Sequence, residues 1–165
     1  SRWHHGIQVD EEGRYSLTPE AAAMRIAAQA AAQDIGSVAD LFCGCGGNTI
    51  AFARSGISVK AADTNAARLQ MAQHNARIYQ AEVAIAFLLG DGTALRPTAE
   101  LAFIDPPWAL GEVKLLELCH WAAQHYPRVW AKLPSSMAPP EGWAVELFLT
   151  SEGYPSFLIA RSPEC

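Results

Sequence analysis

The sequence predicts an α/β fold built on a mostly parallel sheet of seven strands. A helical lead-in precedes the sheet and an antiparallel hairpin closes it. Three observations carry this expectation. Short apolar runs alternate with stretches of helical period, as in a parallel sheet with helices on both faces. A glycine turn, CGCGG, follows the first run. The first four runs each end at or near an aspartate: Asp40, Asp63, Asp91 and Asp105.

The elements follow in order. Thr18-Pro19-Glu20 opens an Ala-rich stretch that ends near Gln33. Thr18 at N-cap, Pro19 at N1 and Glu20 at N2 read as a helix start. Val38 to Phe42 is the first strand and carries Asp40. Asn48 to Arg54 is helical and stops at Ser55-Gly56. Ile57 to Ala62 is the second strand, ending at Asp63. Asn65 to Tyr79 is a helix with Leu69, Ala72, Ala76 and Tyr79 on one face. Val83 to Leu89 is the third strand, ending at Gly90-Asp91, and Leu101 to Ile104 is the fourth. Glu112 to His125 reads as an amphipathic helix with Val113, Leu116, Cys119 (or His120) and Ala123 inward. Arg128 to Leu133 is the fifth strand. Pro134 to Gly142 is either a plain connector or a loop bordering the substrate mouth. Trp143 to Leu149 and Ser156 to Ala160, with Gly153-Tyr154-Pro155 between them, form the closing hairpin.

A length of 165 residues suits one domain, with residues 1–34 as lead-in and helix and 35–165 as core. Half the residues are hydrophobic and the mean hydropathy is +0.05, a globular composition. No apolar run approaches a membrane span, and the first residues lack the apolar stretch of a signal peptide. A start at Ser1 rather than methionine is expected of a trimmed piece of a longer protein. The formal charge is −5, and Arg2, Arg14, Arg25, Lys60, Lys114, Arg128 and Lys132 are scattered singly. The absence of a basic stripe argues against tight non-specific binding to long duplexes and leaves a nucleotide, a cap or a short RNA end open.

Cys43 and Cys45 are too close to pair comfortably, and they form no zinc-spaced cluster with Cys119 and Cys165. Free thiols in a reducing, cytoplasmic compartment and no metal site are expected. The terminal Trp3, His4 and His5 read as solvated, Trp121, Trp130 and Trp143 as core, and His120 as a packing or surface residue. The default oligomeric state is a monomer.

Ligands of such sheets sit outside the carboxyl ends of the strands. The four strand-end aspartates should therefore converge on one crevice. One such Asp is a common turn residue, but four in consecutive strands beside a glycine turn are harder to dismiss. In DLFCGCGGNT, Gly44 and Gly46 allow a tight turn and close approach of a ligand. The dinucleotide pattern G-x-G-x-x-G would need glycine at position 49, where Thr49 stands. Asp40 would repel a pyrophosphate but suits the ammonium and sulfonium of S-adenosylmethionine. Asp63 is placed to take two ribose hydroxyls, and Asp91 to accept from the adenine amino group.

The fourth strand ends in Asp105-Pro106-Pro107-Trp108, which matches the [N/D/S]-P-P-aromatic tetrapeptide of methyltransferases acting on amino nitrogens. Such a nitrogen is planar because its lone pair is delocalised, so it attacks poorly. The Asp105 carboxylate and the Pro106 carbonyl would each take one N–H, aim the lone pair and stabilise the positive charge that develops. Pro106 and Pro107 keep that carbonyl rigid, and Trp108 offers a face for stacking or for a cation.

Taken together, GIQVDEEGRYSLTPE, DLFCGCGGNTIAFA, DPPW and Leu133-Pro134 resemble the trimethylguanosine synthase family, the RNA cap guanine-N2 methyltransferases, over nearly the whole chain. The resemblance implies a Rossmann-like class I methyltransferase fold with S-adenosylmethionine as cofactor. It implies that Asp40, Gly44, Gly46, Asn48, Thr49, Asp63 and Asp91 line the cofactor and that Thr18, Pro19 and Glu20 fold over it. Asp105, Pro106 and Trp108 would hold the base, and Lys132 and Arg14 are the candidates to grip cap phosphates. Ala109-Leu110 stands where the family usually shows Gly-Gly. The expected reaction is methyl transfer to an exocyclic amine, guanine N2 of RNA or of a capped nucleotide. The alternatives are adenine N6, cytosine N4, a glutamine amide, or a non-catalytic S-adenosylmethionine-binding module.

Overall fold

The structure, a computed structural model, describes residues 6–163. Arg2, Trp3, His4, His5 and Cys165 lie outside the described residues. Helix α1 (Glu11–Ser16) and helix α2 (Glu20–Ala31) form the lead-in. The core then runs β1 (Ser37–Asp40), α3 (Gly47–Arg54), β2 (Ser58–Asp63), α4 (Ala66–Ile78), β3 (Ile85–Leu89), α5 (Gly92–Leu95) and β4 (Leu101–Ile104). It continues with α6 (Glu112–His125), β5 (Arg128–Pro134), β6 (Ala144–Leu149) and β7 (Pro155–Arg161). The seven strands form one sheet in the order β3-β2-β1-β4-β5-β7-β6. Pairings from β3 through β5 are parallel, and β7 is antiparallel to both β5 and β6.

Each central strand is buried on both faces, which explains its uninterrupted apolar run. Leu101 and Phe103 of β4 pack with Ile26, Phe52 and Trp130 on one face, while Ala102 and Ile104 pack with Leu115, Cys119 and Leu133 on the other. Phe52 meets Phe103 edge to face with ring centroids 5.2 Å apart. The order reverses at β1 and β4, whose carboxyl ends flank the crevice where open sheets of this kind bind ligands.

Three local expectations are corrected. Thr18 does not cap α2. Pro19 occupies the N-cap without a side-chain bond, and the Thr18 hydroxyl turns inward to the crevice. In α6 the buried stripe is Leu115, Cys119 and Ala122, whereas Val113 is 71% exposed and Ala123 and His120 face solvent. Leu115, Cys119 and Ala122 recur at i, i+4 and i+7, so two phasings of one apolar helix were available and packing against Ile104 and Leu133 selected the second. Before β3, Glu82–Ala84 forms a short 3₁₀ turn rather than strand. Trp130 is fully buried, while Trp121 and Trp143 are half-buried against the α6 face.

The lead-in is clipped to the core by polar contacts. Asp10 caps α1 by accepting from Gly13 N at 2.7 Å and pairs with Arg68 Nε of α4 at 2.6 Å. The buried Asn75 side chain accepts from Gln8 N at 2.8 Å and donates to Gln8 O at 2.8 Å and Cys45 O at 2.9 Å.

Candidate active site

The strand ends place the predicted residues in three groups. In the first, Asp105 follows the last residue of β4, and its Oδ2 collects three donors. Lys132 Nζ of β5 donates at 2.9 Å, Asn48 Nδ2 of α3 at 3.1 Å and Thr18 Oγ1 of the lead-in at 3.4 Å. Asn48 Nδ2 also donates to Thr18 Oγ1 at 3.1 Å, and Lys132 Nζ to Ser16 O at 3.1 Å. Oδ1 receives none of these bonds. Burial raises the Asp105 carboxyl above its usual range, against the opposing pull of the Lys132 ammonium. Pro106 is buried, Pro107 is exposed, and Trp108 opens a 3₁₀ turn with 40% of its surface exposed.

Lys132 is the residue that sequence reasoning misplaced. The side chain is buried and ion-paired with Asp105, so it does not reach out to grip phosphates. Its ammonium lies over the Trp108 ring, 5.5 Å from the centroid, and 5.2 Å from the Phe157 centroid. One signal could have found it. Lys132 sits alone among Val129, Trp130, Ala131 and Leu133 in a central strand, where a charge needs a partner. Arg14, the other phosphate candidate, is exposed on α1.

The second group surrounds the glycine turn. Asp40, the last residue of β1, is only 1% exposed; its Oδ2 accepts from Thr49 Oγ1 at 2.5 Å, and its buried Oδ1 has no hydrogen-bond partner among the described residues. Burial pushes this carboxyl up to about 7; the Thr49 hydroxyl opposes the shift, and the neighbouring Asp105 and Asp63 charges add to it. Asp63, the last residue of β2, is held by two backbone N–H groups. Gly44 N donates to Oδ2 and Asn65 N to Oδ1, each at 2.8 Å. Gly44 is left-handed with φ +52°, and nothing lies within 4 Å of where a Cβ would project. Gly46, at φ +90°, is needed for packing instead, since a Cβ there would stand 3.0 Å from Ala72 Cβ.

Asp91 stands apart from these two groups. It is exposed and caps α5, with Oδ1 accepting from Thr93 N at 2.8 Å and Thr93 Oγ1 at 2.7 Å. Beside it, Gly92 went unnoticed in the sequence. A Cβ there would fall 2.5 Å from the backbone oxygen of Leu41. A separate cavity of about 170 Å³ lies behind Thr18, walled by Arg14, Leu17, Met24, Ile50, Arg54 and Tyr79. None of the strand-end aspartates lines it.

These residues fit S-adenosylmethionine on structural grounds. A carboxylate pinned by two N–H groups at the end of β2 is oriented to accept a vicinal diol, and the open side of Gly44 leaves room beside it. Buried Asp40 Oδ1 and Asn48 Oδ1 are left with unused acceptor capacity close to that turn. Fold and site together define a class I S-adenosylmethionine-dependent methyltransferase. Solved structures share the architecture. An O-methyltransferase from Bacillus cereus in complex with SAH superposes with a TM-score of 0.70 at 12% identity, over 90% of this chain and 84% of that one. TrmN from Thermus thermophilus gives 0.65 at 25% identity, over 91% and 50%.

The profile of the RNA cap guanine-N2 methyltransferases matches residues 35–134, and the chain belongs to that family. A trimethylguanosine synthase from Schizosaccharomyces pombe is 34% identical over 118 residues, 66% of this chain and 48% of that protein. The chain thus spans about half the length of this curated relative.

Proposed function

We propose that this chain methylates an exocyclic amino nitrogen, with guanine N2 of an RNA or a capped nucleotide as the acceptor. The observation that carries the reading is the end of β4, where Asp105, Pro106 and the half-exposed Trp108 stand at the crevice, with Oδ1 of Asp105 outside the network that holds Oδ2. Membership of the guanine-N2 family supports guanine as the base.

Asp63 would hold the ribose of S-adenosylmethionine, Gly44 would lie against it, and Asp91 would accept from the adenine. Thr18, Pro19 and Asn48 would close the methionine end from the lead-in side, and Gly46 would shape the turn. Asp40 acts from behind as a positioning residue, because it is buried and fixes Thr49 at the first turn of α3. When bound, the cofactor supplies a methyl group on sulfur, already a good leaving group. Oδ1 of Asp105 and the carbonyl of Pro106 would each accept one N–H of the target amine, holding the amine in place and turning its lone pair out of the ring plane. The same carboxylate stabilises the charge that grows on nitrogen. Three donors fix Oδ2, so the clamp needs little reorganisation. Trp108 backs the ring by stacking. No base is required, since the methylated ammonium is acidic enough to release its proton to water.

Because Asp105 anchors Lys132, truncating it alone would strand a buried ammonium. The test is therefore the double substitution Asp105→Ala with Lys132→Met. Binding of S-adenosylmethionine should stay within about threefold while methyl transfer falls at least about a hundredfold, as expected when a group that stabilises the transition state is removed. Normal turnover would remove the clamp from the mechanism. Mass spectrometry of nucleosides and peptides, after incubation with labelled cofactor and RNA, cap analogues, DNA or protein, identifies the acceptor. Label on adenine, cytosine or glutamine instead of guanine N2 would overturn the choice of base.

A further inference from the structure

The Asp105 carboxyl can hold an amine in only one of its protonation states. An ionised carboxyl accepts through both oxygens, whereas the acid carries an O–H on one of them. Lys132, Asn48 and Thr18 all donate to Oδ2, at 2.9, 3.1 and 3.4 Å. A proton added to this carboxyl would therefore go to Oδ1, the oxygen that faces the target amine in the clamp proposed above, on which this inference rests. There an O–H would meet an N–H, donor against donor, and the clamp would be lost. Burial favours that neutral form. Asn48 and Thr18 oppose it as uncharged donors, and the Lys132 ammonium opposes it with a full charge. Lys132 is only 4% exposed, and its ammonium is also held by Ser16 O at 3.1 Å, so the charge is kept beside the carboxyl.

We infer that Lys132 is a positioning residue that keeps Asp105 a carboxylate, with Oδ1 open to the N–H of the acceptor amine. It acts through Asp105 and not on the substrate. The groups around Asp105 set the balance it must hold. From α3 and the lead-in the carboxyl meets the uncharged Asn48 and Thr18. From β1 it meets Asp40, and two neighbouring carboxylates each disfavour the ionised form of the other. Asp63 of β2 acts on Asp40 in the same sense. Lys132 supplies the counter-charge from β5. The clamp is therefore formed above the midpoint of the Asp105 titration and lost as the pH falls through it. Without Lys132 that midpoint rises, because a buried carboxyl with no counter-ion takes up a proton rather than remain charged.

The experiment follows the Asp105 carboxyl carbon by 13C NMR across neutral pH. The pH profile of kcat/KM for N2 methylation of the cap analogues GpppG and 7-methyl-GpppG is the second readout. In the wild type the carbon should read as carboxylate at neutral pH. Lys132→Met should raise its midpoint by at least about one pH unit, as expected when an opposite charge in contact is removed. The acid limb of kcat/KM should rise with it, so that activity lost at neutral pH returns in alkali, which damage to the fold alone would not produce. Lys132→Arg keeps the charge and should keep the wild-type midpoint. Asp40 titrates at about 7, so the shift is measured again in an Asp40→Asn background, where it should persist. If Lys132→Met does not fold, Lys132→Gln, which keeps a donor without the charge, takes its place. A midpoint that stays put in the uncharged variants, or a wild-type carbon that reads as the acid at neutral pH, would overturn the inference. A midpoint that moves while the limb of kcat/KM does not would overturn the clamp, and the role of Lys132 with it. No methylation of either analogue would overturn the guanine reading, and the carbon titration then decides the role of Lys132 alone.

Discussion

Asp40 gives the fold a dependence on pH that can be worked from its surroundings. Its carboxyl is buried beside the glycine turn, with one oxygen on Thr49 and the other without a hydrogen-bond partner among the described residues. Burial moves its pKa from 3.8 to about 7. The folded state then holds this proton more tightly than the unfolded chain does. The stabilisation is complete below the unfolded value and is lost as the pH rises through about 7. Integrated between about pH 5.5 and about pH 8.5, the loss is about 2 kcal/mol. For a domain of this length that corresponds to a fall of about 4–8 °C in Tm. The control is Asp40→Asn, which keeps an acceptor for Thr49 and does not titrate. Thermal melts of both proteins across this pH range isolate the group. The wild type should lose those degrees relative to the variant as the pH rises. Parallel curves for the two proteins would show that Asp40 is ionised throughout, and the reasoning about its burial would fail.

Two other substitutions probe the turn and the crevice. Asp63→Ala should weaken S-adenosylmethionine at least about tenfold by calorimetry, since hydrogen bonds to a charged group are worth about 1.5–3 kcal/mol each; an unchanged affinity would sink the ribose assignment. Gly92→Ala would drive a Cβ into the Leu41 backbone oxygen at 2.5 Å. Overpacking against backbone should cost at least about 2 kcal/mol in urea unfolding, and a wild-type midpoint would show that the turn can yield.

The sheet was legible because each central strand advertised itself by an apolar run ending in a turn residue. The limits of Leu101–Ile104 and Glu112–His125 coincide with expectation, as do the parallel core and the closing hairpin. The strand-end placement of Asp40, Asp63 and Asp105 was legible for the same reason. What periodicity could not give was competition between partners. Thr18 had two acceptable uses for one hydroxyl, and only the folded chain shows that Asp105 and Asn48, distant in sequence, outcompete the helix end. The inward face of α6 was ambiguous because apolar residues occupy two adjacent stripes. The bond between Lys132 and Asp105 spans neighbouring strands, and its register, Ile104 opposite Ala131, is a property of the assembled sheet.

The parity of β5 has a consequence for folding. Trp130 and Lys132 share one face of the strand, while Ala131 and Leu133 share the other. A pairing slipped by one residue would carry the ammonium through the sheet towards Leu115, Cys119 and Ala122, away from Asp105. The charge that serves the crevice thus also adds a penalty against a slipped register to the one the packing of Trp130 and Leu133 already imposes.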